Sequence, residues 1–168
     1  MIYSVNLDPT TQTSLKMQLF NNVTNTAELR SKIMTGELKC CIVKPQLVYD
    51  PLQVVVAANK ALTSKKQTTK SIFTELLFNL SPSSNISQSL LKFGIHDKDQ
   101  SLLVVILEKT TDNFEDIFSL VQGDVLDISH LNQLNDIKAI RKMYKITDKE
   151  FNSVDILDSI VSRIATKE

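Results

Sequence analysis

The sequence predicts a single domain of the α/β class, of α+β type, with a small mixed or antiparallel four-stranded sheet covered by about six to eight helices. Three observations support this prediction. The 168 residues match one domain and suffice for a hydrophobic core without a disulfide or metal. Hydrophobic residues make up 42% and charged residues 23%, which is typical of a globular chain. Strand patterns and helix patterns follow one another in mixed order along the chain.

The N-terminal part of the chain contains one strand pattern and one helix pattern. Residues 15–20 alternate between apolar and polar side chains until Leu19 and Phe20, which predicts a half-buried strand. Asn25 or Thr26 is a suitable cap for a helix that runs to about Met34. Residues 39–49 are predicted to be irregular or a short strand, because a proline within them interrupts regular pairing.

A second helix has the clearest start signal in the chain. Asp50 is a good helix cap and Pro51 a good first helical residue, and the helix is predicted to run to about Lys66. Its middle is apolar almost all round, which indicates burial on most sides. One line of polar or small side chains is the exception, and we expect it to face water or a partner. This line consists of Gln53, Ala57, Lys60, Ser64 and Gln67.

The middle of the chain is predicted to alternate between strands and a helix. Residues 73–80 are interpreted as a strand, and Ser84 or Asn85 can cap a short helix that ends at Gly94. Residues 102–107 are continuously apolar and include valine and isoleucine, which predicts a buried central strand.

The remaining chain is predicted to be mainly helical. Helices are expected over 114–121 and over 129–144, with a break near Asn135 in the second. A last helix is expected over 153–165. The order of elements gives a small sheet covered by helices.

Charge and cysteine content narrow the classes of protein that fit this chain. The 19 basic and 19 acidic residues give a net charge of zero, so any RNA contact must use a local basic patch. Cys40 and Cys41 are adjacent and suit a reducing compartment. The start of the chain lacks a secretory pattern, and no apolar run approaches the ~20 residues of a membrane span. We expect a cytoplasmic and nuclear location and no membrane partner.

Patterns for catalysis, cofactors and metals are missing from the sequence. The two histidines, His96 and His130, do not stand at metal-ligand spacing from cysteine or carboxylate residues. The glycines at 36, 94 and 123 are scattered, which excludes a glycine-rich phosphate loop. A nucleophile elbow and the kinase signature set are also absent. The sequence therefore predicts no catalytic residue, no cofactor and no metal.

Glu75 is the carboxylate that leaves an alternative open. It stands inside an apolar segment, where a buried carboxylate would need a charge or a hydrogen-bond partner. One interpretation is an outward-facing strand residue or a structural ion pair. The other is a small enzyme that uses Glu75 or Lys60, although a lone glutamate does not make an acid–base pair.

The second helix and the residues after it supply the candidates for RNA binding. Cationic side chains there can neutralise phosphates, and the neighbouring amides can hydrogen-bond a base or sugar. The alternative is that these lysines only solubilise the helix end and interact with its dipole. The candidate RNA-binding residues are Gln53, Asn59, Lys60, Lys65, Lys66 and Lys70.

The last helix supplies the candidates for protein binding. Its apolar side chains cover roughly 160° of arc, which is wider than the usual ~100° core stripe. We expect Leu157 and Val161 to pack on the domain and the opposite edge to dock a partner protein. The alternative is that all of the apolar residues belong to the core. The candidate docking residues are Ile156, Ile160 and Ile164, with Arg163 as a rim charge.

The densest motif in the chain resembles a known family. It consists of the segments DPLQVVVAANKA at 50–61, ELLFNLSP at 75–82, NIS at 85–87 and KFGI at 92–95. This stretch is similar to the PRPK-binding protein family, the small non-catalytic subunit of the KEOPS complex, also called EKC. The resemblance extends over nearly the whole chain and includes AELR at 27–30 and KMYK at 142–145.

The resemblance implies a role in tRNA modification. The complex makes threonylcarbamoyl-adenosine next to the anticodon of tRNA, and its chemistry belongs to a threonylcarbamoyl transferase and a kinase-like ATPase. Members of the family dock on the PRPK-type kinase and bind the single-stranded acceptor end of tRNA. The implied partners are the kinase, tRNA and, indirectly, the transferase. The family is also linked to telomere maintenance. The alternative is a stand-alone RNA-binding module without a kinase partner.

Overall fold

The structure is a computed structural model that describes residues 2–167. Within them, an antiparallel sheet of five strands runs in the order β1-β2-β4-β3, and β5 pairs with β2. The strands are β1 (Tyr3–Asn6), β2 (Thr13–Asn21), β3 (Cys41–Val43), β4 (Leu102–Lys109) and β5 (Asp124–Leu126). The predicted α+β class is confirmed. The sheet has one strand more than expected because it gains β1 and β5, which the sequence patterns did not predict, and lacks the strand predicted over 73–80.

The described residues form nine α-helices. This exceeds the expected number because Ile72–Leu80 forms a helix where a strand was predicted, and because the short helix Asp148–Ser153 precedes the last helix. The helices are α1 (Thr26–Met34), α2 (Pro51–Thr63), α3 (Ile72–Leu80), α4 (Ile86–Phe93), α5 (Asp116–Ser119), α6 (Leu131–Leu134), α7 (Ile137–Tyr144), α8 (Asp148–Ser153) and α9 (Ile156–Thr166). None of the helices within residues 2–167 has the length and apolar character needed to cross a membrane.

Strand β4 is the centre of the fold, as its apolar sequence predicts. It pairs with β2 from Thr13 to Phe20 on one side and with β3 on the other. Successive side chains of β4 enter two different cores, because side chains alternate between the faces of a strand. The larger core contains residues of α2, α3 and α9, and the smaller one contains residues of α1 and α5.

Helix α3 replaces the strand predicted over 73–80, so that prediction is wrong. A continuous apolar run is compatible with either a buried strand or a buried helix. Ser71 decides the outcome locally, because its hydroxyl accepts the Thr74 N–H and the Thr74 hydroxyl accepts the Ser71 N–H in a capping box. The helical period then places Leu76 and Leu80 in the core shared with α2.

Most of the other predicted elements are confirmed, with shifted ends. Asp50 caps α2 by accepting the Leu52 N–H, although the helix ends at Thr63 rather than near residue 66. Asn135 ends α6 and forms the predicted break. The helix expected over 114–121 shortens to the four residues of α5.

Candidate binding surfaces

The structure divides the six candidate RNA-binding residues into two groups. The exposed group lies in the loop between α2 and α3 and consists of Lys65, Lys66 and Lys70. The other group lies on α2, and its side chains bond within the protein: Gln53, Asn59 and Lys60. The prediction that the polar line of α2 faces water or a partner is therefore wrong for its first half, where Gln53 and Ala57 are fully buried.

Gln53 joins three parts of the larger core. Its side-chain oxygen accepts the Tyr49 N–H at 2.8 Å, and its amide nitrogen donates to the Leu47 carbonyl at 3.0 Å and to the Tyr144 hydroxyl at 2.9 Å. The Tyr144 hydroxyl donates in turn to the carbonyl of Leu80. Burial raises the pKa of Tyr144 far above its ordinary value. Gln53 therefore satisfies buried polar groups, which is a structural role.

Lys60 is bound to the end of α9 instead of pointing away from the domain. Its ammonium group donates to the carbonyl of Ile164 at 2.8 Å and to the carbonyl of Lys167. Burial lowers the pKa of Lys60, and the charge of Glu75 partly opposes this shift. The last carbonyls of a helix lack partners within it, so Lys60 satisfies two groups that α9 leaves free. Asn59 is similarly engaged, because its side chain accepts the Asp8 N–H at 3.0 Å.

Glu75 fastens the lysine-bearing loop to α3. The carboxylate is 3% exposed and accepts the backbone N–H groups of Thr68 and Thr69 at 3.1 and 2.8 Å. It also accepts the hydroxyl of Thr69 at 2.9 Å. The interpretation of Glu75 as an outward-facing strand residue is wrong, because the residue is buried on a helix. It fixes the loop from which the exposed lysines extend.

An open groove of about 620 Å³ lies beside that loop, at the β3 edge of the sheet. Helices α1, α3 and α4 and strand β3 form its walls, and we call it the edge groove. Its apolar lining includes Ile33, Met34, Phe73, Leu77 and Leu90. Met34 is 73% exposed there although it belongs to the apolar pattern of α1.

The edge groove is electropositive. Arg30, Lys39 and Lys70 line it, and its described lining contains no carboxylate. Arg30 pairs with the exposed carboxylate of Asp97 at 3.3 Å, outside the lining. Such a groove suits a ligand with flat apolar parts and negative charges. Burial raises the pKa of Cys40 in its wall to about 12, so this thiol is protonated and not a nucleophile.

Helix α9 faces the opposite way to the predicted orientation. Ile156, Ile160 and Ile164 are 8%, 0% and 1% exposed and belong to the larger core. The prediction that they form an exposed docking edge is wrong, because α9 packs on α2 through this face. Leu157 and Val161, expected in the core, are half-buried on the opposite side. A helical period fixes which residues share a face but not which face turns inward.

Arg163 is engaged inside the chain instead of standing free at a rim. Its guanidinium forms two hydrogen bonds to the carboxylate of Glu150, both 2.7 Å long. This paired geometry holds the pKa of Glu150 at about 2, well below its ordinary value. Because Glu150 belongs to α8, this pair ties α8 to α9, and within α9 Arg163 also donates to the carbonyl of Ser159.

The outer side of α9 carries a narrow apolar strip. Val154 precedes the helix and is 45% exposed, and Leu157 and Val161, four residues apart, lie half-buried on the solvent side of the helix. We call these three residues the outer strip. One of the three side chains is exposed and two are half-buried, so the strip is a small partly exposed apolar surface.

Metal-binding and histidine chemistry are not indicated by the geometry. The ring of His96 lies 3.1 Å from the carbonyl of Leu91 and stands beside a turn, while His130 is exposed. Within residues 2–167, no three histidine, cysteine or carboxylate side chains are grouped in a way that could hold a metal ion. The structure is that of a small α+β protein whose described surface carries an electropositive groove and a partly exposed apolar strip.

Comparison with known proteins identifies the family. The family model described as kinase binding protein CGI-121 matches residues 20–168. The chain belongs to this family of kinase binding proteins, and the resemblance predicted from the motif at 50–95 is confirmed.

Curated relatives agree with this assignment. The chain is 38% identical over 155 residues to the EKC/KEOPS complex subunit TPRKB of Danio rerio, with 89% of each chain covered. It is 29% identical over 156 residues to the EKC/KEOPS complex subunit CGI121 of Candida glabrata, with 88% of each covered. For the protein of that name in Kluyveromyces lactis the identity is 33% over 120 residues, which covers 69% of this chain and 75% of the relative.

Proposed function

We propose that this chain is a non-catalytic subunit of an EKC/KEOPS complex that binds a PRPK-type kinase and helps to recruit tRNA through its acceptor end. The observation that carries this proposal is the 38% identity to a relative named as a subunit of that complex, over 89% of both chains. Membership of a kinase-binding family supports the kinase partner. A cytoplasmic and nuclear location is part of the proposal.

The outer strip is the surface that we assign to the kinase. Leu157 and Val161 stand on the solvent side of a helix whose other side is fixed in the core, and Val154 precedes that helix. Interface centres are apolar and well ordered, and a helix held by a full row of buried isoleucines meets both requirements. Ile156, Ile160 and Ile164 then support the contact from behind instead of making it. Arg163 positions the helix through Glu150.

The edge groove is the surface that we assign to the tRNA acceptor end. Unpaired bases stack on aromatic and apolar side chains, and the half-buried ring of Phe73 lines the groove. Arg30, Lys39 and Lys70 on the lining are suited to the phosphates of the same strand. Because the loop before α3 also carries Lys65 and Lys66, it extends this positive surface away from the groove.

Kinase docking is tested by charge insertion on α9. In Val161→Arg a half-exposed apolar side chain becomes charged, and we expect co-purification with the PRPK-type kinase to be lost while the chain stays folded. Ser162→Arg is the matched control, because Ser162 is exposed on the same helix but outside the outer strip. Equal kinase binding by wild type and Val161→Arg would contradict the assignment.

Recruitment of tRNA is tested with the purified chain, alone and with the kinase. We expect binding to depend on the single-stranded acceptor tail, to fall in Lys39→Glu and to persist in Lys109→Glu. Lys109 is exposed and lies outside the lining of the edge groove. Tail-independent binding would contradict the groove assignment. Tight tRNA binding without any kinase binding would favour the alternative, a stand-alone RNA-binding module.

A further inference from the structure

A second positive surface lies at the junction of α7 and α8, apart from the lining of the edge groove. It is a shallow, open depression of about 410 Å³, and we call it the basic depression. Four cationic side chains and one carboxylate line it, together with Ile146 and Thr147. The charged residues are Lys138, Arg141, Lys142, Lys145 and Asp148.

The cations share one face of α7 through their spacing along the helix. Side chains three or four residues apart are neighbours on a helix surface, where like charges repel each other. The helix dipole favours cations in the last turn, which accounts for Arg141 and Lys142. It does not account for Lys138, which lies in the first turn of the eight-residue helix, where the dipole disfavours a cation. Helix stability alone therefore does not explain this row of charges.

Arg141 is held in a fixed position within the depression. Its guanidinium donates to the carboxylate of Asp148 at 2.6 Å and lies 4.2 Å from the centre of the Phe151 ring. Its Nε is buried and has no hydrogen-bond partner among the described residues. The buried Nε cannot reach a ligand, but the side chain as a whole is 26% exposed. A guanidinium that is already held in place loses little freedom when an anion binds to its exposed side.

Lys145 contributes a further unusual feature at the end of α7. Its backbone φ is 55°, in the left-handed region that favours glycine, and it is a lysine that occupies this position. Its N–H donates to the carbonyls of Arg141 and Lys142. The fold therefore places a cation at the mouth of the depression where glycine would be the ordinary choice for the backbone.

We propose that the basic depression binds phosphate groups of the RNA backbone, as a second contact in addition to the edge groove. This inference rests on the proposed function, because it takes tRNA as the ligand. No aromatic ring is among the described residues that line the depression, so the exposed ammonium groups of Lys138, Lys142 and Lys145 are suited to contact charge and not to stack with bases. A contact of this kind is independent of sequence and adjusts orientation and affinity.

The test is the salt dependence of tRNA binding by the chain in complex with the kinase. In Lys138→Gln with Lys142→Gln, we expect the slope of log affinity against log salt to decrease by about 1.8, since each lost phosphate contact removes about 0.9 on duplex. This decrease in slope should be the same for tRNA with its acceptor tail and for tRNA without it. Lys98→Gln with Lys109→Gln is the matched control, because both lysines are exposed and outside the two positive surfaces.

The other outcomes separate the inference from the proposed function. The salt slope could stay unchanged in Lys138→Gln with Lys142→Gln while tail-dependent binding persists. This result would contradict phosphate binding by the basic depression but not the assignment of the edge groove to the acceptor end. Loss of kinase co-purification with unchanged tRNA binding would overturn the inference in favour of a protein contact. If wild type binds no tRNA at any salt concentration, both the RNA half of the proposed function and the inference fail.

Discussion

Lys60 lies in α2 and Lys70 lies in the loop that follows it, but the two lysines have opposite surroundings. The ammonium group of Lys60 is half-buried and occupied by two carbonyls at the end of α9, whereas Lys70 is exposed and lines the edge groove. Glu75 serves both regions, because it holds the loop through Thr68 and Thr69 and its charge acts on Lys60. A lysine contributes to binding only where the fold leaves its donors free.

The largest expected effect is a loss of stability when a charge is introduced into the hydrophobic core. In Ile160→Arg a charge enters a position with no exposure, and the free energy of unfolding should fall by on the order of 4 kcal/mol. Urea denaturation measures this loss. Val161→Arg, one residue further along, is the control and should keep wild-type stability within about 1 kcal/mol. If the Ile160→Arg chain stayed folded and lost only kinase binding, the result would support the sequence prediction that the isoleucine face of α9 docks the partner.

The link between the two regions is broken in Glu75→Ala. The N–H groups of Thr68 and Thr69 lose their acceptor, and we expect the free energy of unfolding to fall by about 2 kcal/mol. Hydrogen exchange of the loop should rise at the same time. Glu28→Ala is the control, since Glu28 only pairs with Lys32 on the surface of α1 and is worth about 0.5 kcal/mol or less. Equal effects of the two variants would contradict the anchoring role.

The two lysines are compared directly in Lys60→Met and Lys70→Met. We expect Lys60→Met to lower the free energy of unfolding by about 1 kcal/mol, because carbonyls at the end of α9 lose a donor, and to leave tRNA affinity unchanged. Lys70→Met should leave stability unchanged and lower the salt slope of tRNA binding by about 0.7, the value for one contact to a single strand. If Lys60→Met lowered the salt slope of tRNA binding and Lys70→Met lowered only the stability, the assignment of the edge groove to tRNA would be contradicted.

The smallest effect is a pH dependence at the junction of α8 and α9. Arg163 lowers the pKa of Glu150 from 4.5 to about 2, so this pair stabilises the folded chain fully above pH 4.5. The contribution is lost as the pH falls from 4.5 to about 2, because the unfolded state takes up the proton first. Arg163→Leu should therefore be less stable than wild type at pH 6, with a difference that shrinks below pH 4.5. A difference that is constant with pH would contradict the pairing.

Local signals predicted the elements that local chemistry determines. Asp50 with Pro51 defined the start of α2, and the apolar run at 102–107 defined the central strand. The run at 73–80 was misinterpreted because an apolar segment of that length fits a buried strand or a buried helix equally well. The inward side of α9 was misassigned for a related reason, since its apolar arc is wide enough for either side to turn inward.

The candidate binding surface was largely beyond prediction because its parts are distant in the sequence. Arg30 comes from α1 and Lys39 precedes β3, whereas Lys70 lies in the loop before α3 and Phe73 in its first turn. Only the packed fold brings these residues together. Of these four groove residues, only Lys70 was among the candidate RNA-binding residues predicted from the sequence. Lys60 was selected because it projected from an apolar helix, and only the position of the α9 end, far along the chain, reveals its partners.

Photo-crosslinking the tRNA acceptor end to the chain, in complex with the kinase, is the most direct test of the proposed role. With a photoreactive nucleotide at the 3′ end, we expect crosslinked peptides from residues 30–42 and 70–77, which line the edge groove. Phe73→Ala should reduce them. Crosslinks confined to the surface of α2 and α9, or equally strong crosslinks with an unrelated RNA that lacks a free end, would contradict recruitment of tRNA through this groove.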